Sequence, residues 1–177
     1  MIDLSFRFDR WIDALPKSPA DQGRVERCVL RTGPGQRATP ERVELRVGAG
    51  VVGDAWLGHA HSLPENEVAL MNVHVLRAVC DGDEARMPLA GDNLLVDLDL
   101  SEANLPVGTR LRVGDAVLCV APFPHRPCGK FVRRFGARAA KRVARANRRG
   151  LRGRGVLCTV ERGNSVAVGD TIRVERP

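Results

Sequence analysis

Closely spaced turn signals between residues 91 and 120 most restrict the folds open to this chain. Three short strand-like segments, at residues 94–96, 110–113 and 116–120, are separated by Gly-Asp and Pro-Val-Gly turns. The connections are shorter than a helical crossover between parallel strands requires. The region therefore predicts a mainly β fold, a barrel or a sandwich, and argues against a sheet built from β-α-β units.

The rest of the chain predicts further strands and two helices. Residues 42–47 alternate between apolar and charged side chains, as a strand with one buried face does. Asn72 is a good N-cap for a short helix over residues 73–80, and residues 131–149 predict one long amphipathic helix that Gly150 closes. The apolar stripe of that helix is predicted at Val132, Phe135, Ala139, Val143 and Ala146. Further strands are predicted at residues 24–31, 68–71, 155–161 and 171–175, within one domain over residues 23–177 that follows an N-terminal arm over residues 1–22.

The positive charge of the chain is concentrated in one segment. The 177 residues carry a formal net charge of +7, yet no acidic residue lies between Asp115 and Glu161. Residues 130–154 alone contain eleven lysines and arginines, which predicts an anionic partner. A nucleic-acid-binding module that uses the arginine-rich helix is one alternative. It is disfavoured because tyrosine is absent and other aromatic residues, which stack on bases, are few.

Five cysteines without a close C-x-x-C pair indicate free thiols rather than a disulfide framework. The first ten residues mix charged and apolar side chains, unlike a signal peptide, and no apolar run approaches the roughly 18 residues that a membrane span needs. We therefore expect a reducing, cytoplasmic setting and no membrane partner.

The segment from residue 120 to residue 131 contains three prolines and one cysteine, Cys128. Prolines fix φ and remove backbone donors, so the segment predicts a rigid, extended loop after a strand. Arg126 and Lys130 flank the thiol and favour the thiolate, the form that ligates a metal or attacks an electrophile. His125 is either a proton donor or the base of a Cys–His pair, and the sequence leaves that choice open.

Residues 48–53 match the pattern G-x-G-x-x-G, but no helix is predicted directly after them. A dinucleotide-binding fold is therefore rejected. Asp54, His59 and His61 follow in a loop, where the two histidines are a conceivable zinc pair. No third ligand at a recognisable spacing follows, so ordinary turn contacts are the favoured interpretation.

Several ordered motifs resemble those of the molybdenum cofactor sulfurase C-terminal (MOSC) domain family, over nearly the whole chain. They are the Gly-x-x-Gly-Asp loop at residues 50–54, the Gly-Asp-Asn-Leu element at residues 91–94, the strand motif at residues 107–114, the Pro-Cys element at residues 127–128, and the closing glycine pattern at residues 154–156, 163 and 168–170. Asp92 stands where the family usually has glutamate, and His59 lies further from Asp54 than the family histidine often does.

The resemblance implies a MOSC-type β-barrel with one long amphipathic helix and one short helix. It also implies binding of the molybdenum cofactor, whose anionic pterin would be the partner of the basic residues, or carriage of sulfur on Cys128. Standalone relatives include proteins that reduce N-hydroxylated bases and amidoximes. By this resemblance Cys128 is the catalytic residue and metal ligand, and the cofactor-binding residues are Asp54, His59, Asp92, Asn93, Arg126, Lys130 and Arg154. A redox protein or a cysteine desulfurase dependent on pyridoxal phosphate is the implied protein partner.

Overall fold

The computed structural model describes residues 10–58 and 62–176. The strands are β1 (Gln22–Cys28), β2 (Leu30–Gly33), β3 (Gln36–Ala38), β4 (Arg42–Arg46), β5 (Gly50–Val51), β6 (Val68–Asn72), β7 (Leu94–Asp97), β8 (Arg110–Val113), β9 (Ala116–Val120), β10 (Val156–Arg162), β11 (Ser165–Ala167) and β12 (Thr171–Glu175). The helices are α1 (Val73–Val79) and α2 (Gly129–Arg148), together with two 3-10 helices, Pro64–Asn66 and Glu84–Ala90. Residues 10–13 are also helical.

Seven strands form a closed barrel in the order β1-β12-β8-β9-β10-β6-β7, which confirms the predicted mainly β barrel. Neighbouring strands are antiparallel except β6 and β7, which run parallel and are connected through α1 and the second 3-10 helix. Two smaller sheets, β11-β4-β5 and the hairpin β2-β3, lie outside the barrel order. The glycine-rich segment at residues 48–53 contains the short strand β5 and a turn, without the helix that a dinucleotide site needs.

The barrel interior is filled by alternate residues of its strands. In β8, Leu111 and Val113 are fully buried, whereas Arg110 and Arg112 are exposed. Strand β4, which lies outside the barrel, shows the same alternation and buries residues 43 and 45. Because successive side chains of a strand point to opposite faces, this pattern places the apolar face inside and the charges in solvent.

A second apolar cluster packs between the outside of the barrel and the helices. It joins Met71 and Leu95 of the barrel to the buried faces of α1 and α2, and Trp11 and Leu15 of the N-terminal arm pack against it. Asn72 caps α1 as predicted, since its side-chain oxygen accepts hydrogen bonds from the backbone amides of residues 74 and 75 at 3.0 and 3.1 Å.

The long helix is broken where the sequence predicted a continuous one. Gly136 has φ 84° and ψ 161°, which breaks α2 into two helical segments. The break changes which side chains are buried, so Phe131 is buried and Val132 is 38% exposed. From Ala139 onward the predicted stripe holds, with Val143 and Ala146 buried.

The predicted strand over residues 24–31 is two strands, β1 and β2, separated at Val29. The Val29 amide donates to the Asn93 carbonyl at 2.8 Å, and the chain then leaves the barrel for the β2–β3 hairpin. Within the described ranges, no helix is both long and apolar enough to cross a bilayer.

Candidate functional site

Cys128 is presented at the surface by the loop that joins β9 to α2. The Ala121 amide donates to the Leu157 carbonyl at 2.9 Å, and the Asn147 side chain donates to the His125 carbonyl at 2.8 Å. These bonds hold the loop against β10 and α2. Cys128 is the N-cap of α2 and is exposed; the helix begins at Gly129, two residues before the predicted start.

The other four thiols are covered to different degrees. Cys28, Cys80 and Cys158 are buried and Cys119 is half-buried. Burial raises the pKa of Cys28 and of Cys80 to about 11, and it raises the pKa of Cys158 further. These buried thiols therefore stay protonated and unreactive at neutral pH, which leaves Cys128 as the accessible one.

Asp92 and Arg154 form a buried ion pair beneath the loop. The Arg154 Nη1 atom lies 2.6 Å from both carboxylate oxygens of Asp92, and the two side chains are 6% and 0% exposed. The Arg154 guanidinium also lies 5.1 Å from the centre of the Phe131 ring. Although aspartate is one methylene shorter than glutamate, Asp92 therefore makes a close contact, and its partner is Arg154.

Asp54 and Arg31 form a second ion pair. The Asp54 carboxylate accepts hydrogen bonds from the Arg31 guanidinium, including one at 2.8 Å from Nε, and from the backbone amides of Arg31 and Trp56. The Asn93 side chain donates to the same carboxylate at 3.2 Å and accepts from the Ala69 amide at 3.1 Å. Asp54 and Asn93 are thus fully engaged in holding Arg31 and the neighbouring strands in place.

His125 lies between these two pairs. Its Nδ1 atom is 3.6 Å from Asp92 Oδ1, beyond hydrogen-bond distance, and has no hydrogen-bond partner among residues 10–58 and 62–176. Burial, followed by the positive charges of Arg154 and Arg31, holds the pKa of His125 well below its usual value of 6.5. The ring is therefore neutral at pH 7, and its contact with Asp92 is not an ion pair.

Two further arginines complete an arginine cluster, defined as Arg31, Arg37, Arg134 and Arg154. A Cβ atom added to Gly91 would lie 3.3 Å from Arg37 Nη2 and 3.7 Å from Arg31 Cδ, so both side chains pass close to that glycine. Burial and the charges of Arg134 and Arg31 lower the pKa of Arg37. Arg37 Nε has no hydrogen-bond partner within the described ranges. Among the described residues, Asp54 and Asp92 are the carboxylates whose charges act on Arg37. The four guanidinium groups of the cluster outnumber these two carboxylates, and the surplus of positive charge can hold an anion.

The structure brings some predicted residues together and leaves others apart. Asp92 contacts Arg154, and Asp54 contacts Asn93. Arg126 and Lys130 are exposed beside Cys128. His59 and His61 lie outside the described residues. In the described part of the chain, no group of three or more histidine, cysteine, aspartate or glutamate side chains is placed to hold a metal ion.

Sequence reasoning missed Arg31, Arg37 and Arg134 as parts of the site. Arg31 and Arg37 flank the turn signal at residues 32–35, which predicts a hairpin but says nothing of where that hairpin packs. Arg134 is one of many arginines on the predicted long helix, so its sequence position does not distinguish it. In the structure its Nη1 atom donates to the Leu89 carbonyl at 2.7 Å.

Comparisons with known proteins agree with this architecture. A family model described as MOSC domain matches residues 59–173. The structure is similar to that of the YuaD protein from Bacillus subtilis, at 16% identity and a TM-score of 0.62, covering 86% of this chain and 95% of that one. It is also similar to YiiM from Escherichia coli, at 19% identity and a TM-score of 0.58, covering 87% of this chain and 70% of that one. At these identities the likeness shows the fold alone. No curated protein matches the chain.

Proposed function

Since the chain belongs to the MOSC domain family, which is associated with the molybdenum cofactor, we propose that it binds this cofactor with Cys128 as the metal ligand and the arginine cluster as the anion-binding wall. One observation carries the proposal. The only exposed cysteine lies on a segment whose flanking residues, His125 and Phe131, both contact the Asp92–Arg154 pair. The exposed thiol thus lies three residues along the chain from each of two side chains that contact this buried ion pair.

The residues of the site fit such a group. Thiolate sulfur suits a thiophilic metal, and the planar fork of arginine suits a phosphate tail. The buried nitrogens His125 Nδ1 and Arg37 Nε have no hydrogen-bond partner in the described part of the protein, and a polar ligand would satisfy them. Under this proposal Arg31, Arg37 and Arg154 would hold the anionic part of the pterin.

Each residue of the network has a distinct part in this proposal. Asp92 and Asp54 orient Arg154 and Arg31, and Asn93 fixes the Asp54 carboxylate. Neutral His125 holds a proton on one ring nitrogen and offers the other as an acceptor. When bound, the cofactor supplies the redox chemistry, for which we propose N-hydroxylated bases as substrates and a redox protein as the electron donor. Exposed Arg126 and Lys130 lie on either side of Cys128 in the chain and would attract an anionic ligand to it.

The nucleic-acid alternative is weakened by how the arginines of α2 are used. Arg134 donates to a backbone carbonyl, Arg142 lies 5.6 Å from the centre of the Trp11 ring, and Arg149 pairs with Asp13 at 2.9 Å. These side chains are engaged within the protein, which supports a local anion site over a long cationic face. Binding of duplex DNA or RNA that fell steeply with salt would support the alternative instead.

Metal and pterin content provide the direct test. Protein produced in a host that makes the cofactor is expected to contain molybdenum by elemental analysis and an oxidisable pterin by fluorescence. Cys128→Ala is expected to lose the metal, and Cys119→Ala, which removes a half-buried thiol elsewhere, is the matched control. Arg37→Ala is expected to lower pterin content, with the exposed Arg138→Ala as its control.

The same preparation separates cofactor binding from sulfur carriage. A cysteine desulfurase dependent on pyridoxal phosphate, supplied with cysteine, would form a persulfide on Cys128 if the protein carries sulfur, and mass spectrometry would detect the added sulfur atom. Protein that contains no molybdenum and accepts no persulfide would overturn the proposal.

A further inference from the structure

A groove with a volume of about 830 Å³ lies between the loop before Cys128 and the second half of α2. We call it the proline groove and define it by Val107, Pro122, Phe123, Arg126, Arg148 and Arg152. Neither Cys128 nor the Asp54, Asp92 and Arg154 side chains line it, whereas His125 does. The groove is therefore a concavity separate from the proposed cofactor site, with His125 at their boundary. Its volume lies within the range usual for small-molecule sites.

The apolar wall of the groove is exposed to an unusual degree. Phe123 is 48% exposed and Val107 is 58% exposed, and three prolines of the loop continue the same wall. Apolar side chains that gather at a concave surface, instead of being scattered singly, mark a binding site. An aromatic or aliphatic body would remove this surface from water.

The charges of the groove favour an anion. Arg126 and Arg148 are exposed, and neither forms a hydrogen bond or ion pair with a residue in the described ranges. Glu102 is the one acidic residue among the described residues that line the groove. Burial lowers the pKa of Arg152, and the negative charge of Glu102 partly opposes that effect. Arg152 offsets Glu102, so two guanidinium groups are left for a ligand.

The groove is already formed in this structure. The Asn147 side chain joins α2 to the loop through the His125 carbonyl, and Arg152, with φ 43°, donates from Nη1 to the Leu105 carbonyl at 2.7 Å. The loop prolines restrict the remaining backbone freedom. A preformed wall of this kind loses little conformational entropy when a ligand binds.

From these observations we propose that the proline groove binds a small aromatic carboxylate. The ring would lie against Phe123 and the prolines, and the carboxylate would accept hydrogen bonds from Arg126 and Arg148. This inference goes beyond the proposed function and does not depend on it. Arg126 takes part in both, but no residue of the arginine cluster and no cofactor takes part in the groove.

The test uses 2-naphthoate as the probe and isothermal titration calorimetry on the full-length, cofactor-free protein. We expect one site per chain, and at least five-fold weaker binding of the neutral analogue 2-naphthamide. Phe123→Ala and the double variant Arg126→Ala/Arg148→Ala are each expected to weaken 2-naphthoate binding at least five-fold. Arg138→Ala removes an exposed charge of α2 that does not line the groove, and it should leave the affinity unchanged.

Three results would overturn the inference. One is equal affinity for the carboxylate and the amide, which would indicate apolar adsorption without charge recognition. Another is loss of binding in Cys128→Ala, which would place the probe at the proposed cofactor site. The third is a dimer, seen by light scattering, that Phe123→Ala dissociates, because a second copy of the chain would then be the occupant. Retained binding in Cys128→Ala supports the inference even if the protein contains no molybdenum.

Discussion

Replacing Asp92 by asparagine should destabilise the protein strongly, because Arg154 would remain buried without a counter-charge. Asparagine has nearly the same shape, so the change isolates the charge. For charge centres about 3 to 4 Å apart and an effective dielectric constant of about 20, the lost attraction is about 5 kcal/mol. Removal of one partner of a buried pair costs about 3 to 5 kcal/mol in general, and the 0% and 6% exposure of these side chains places the pair in that class.

Urea denaturation of the cofactor-free protein measures this cost. With a slope of about 2 to 3 kcal/mol per M, the midpoint of Asp92→Asn should fall by roughly 1 to 2.5 M. Arg154→Met should also be destabilising, because it leaves the Asp92 carboxylate buried and alone. The double variant has no buried charge left at this position, so it should cost markedly less than the sum of the two single changes.

Two results would refute the reasoning. A cost below about 1 kcal/mol for Asp92→Asn would mean that water solvates the Arg154 guanidinium or that a small rearrangement brings another carboxylate to it. Strict additivity in the double variant would mean that the two side chains act independently despite their 2.6 Å contact.

Three other changes test the fold and the site through urea midpoints. Asn72→Ala should cost about 1 kcal/mol because α1 loses its cap; an unchanged midpoint would contradict that role. His125 is held neutral when folded but gains a proton in the unfolded chain below pH 6.5, so stability should fall on acidification by up to about 1.4 kcal/mol per pH unit. His125→Gln should remove that part of the slope between pH 6.5 and 5, and an unaltered slope would refute the assignment. Gly155→Ala should prevent folding or cost several kcal/mol, since its Cβ would overlap the Leu70 carbonyl oxygen. Gly169→Ala, with a similar φ of 91° and open space around it, should cost only about 1 kcal/mol. Equal costs for the two glycine variants would show that the positive φ alone, and not the overlap with Leu70, determines the loss of stability.

Features that depend on neighbouring residues could be predicted from the sequence. The alternation in β4, the Asn72 cap and the exposure of Cys128 follow from side-chain periodicity, hydrogen-bonding capacity and proline content. The closed barrel agrees with the short strand spacings, although those spacings alone also allowed a sandwich. The choice between barrel and sandwich came from the family resemblance.

Features that depend on distant contacts could not be predicted. Gly136 lies among helix-forming residues whose spacing fits a continuous stripe, and only packing of Phe131 on one side and Ala139 on the other reveals the break. Arg31 and Arg37 reach the site because a hairpin folds over Gly91, some 60 residues later in the chain. No local pattern encodes that approach.

The pairing of β1 with β12 has a consequence for biosynthesis. Residues 22–24 lie beside residues 171–173, so a chain emerging from the ribosome cannot seal its barrel until β12 has been made. Until then β1 and β8 each lack one neighbour, and such open edges recruit other chains. Nascent or C-terminally shortened forms of this protein should therefore depend on chaperones that cover strand edges, whereas the finished chain should not.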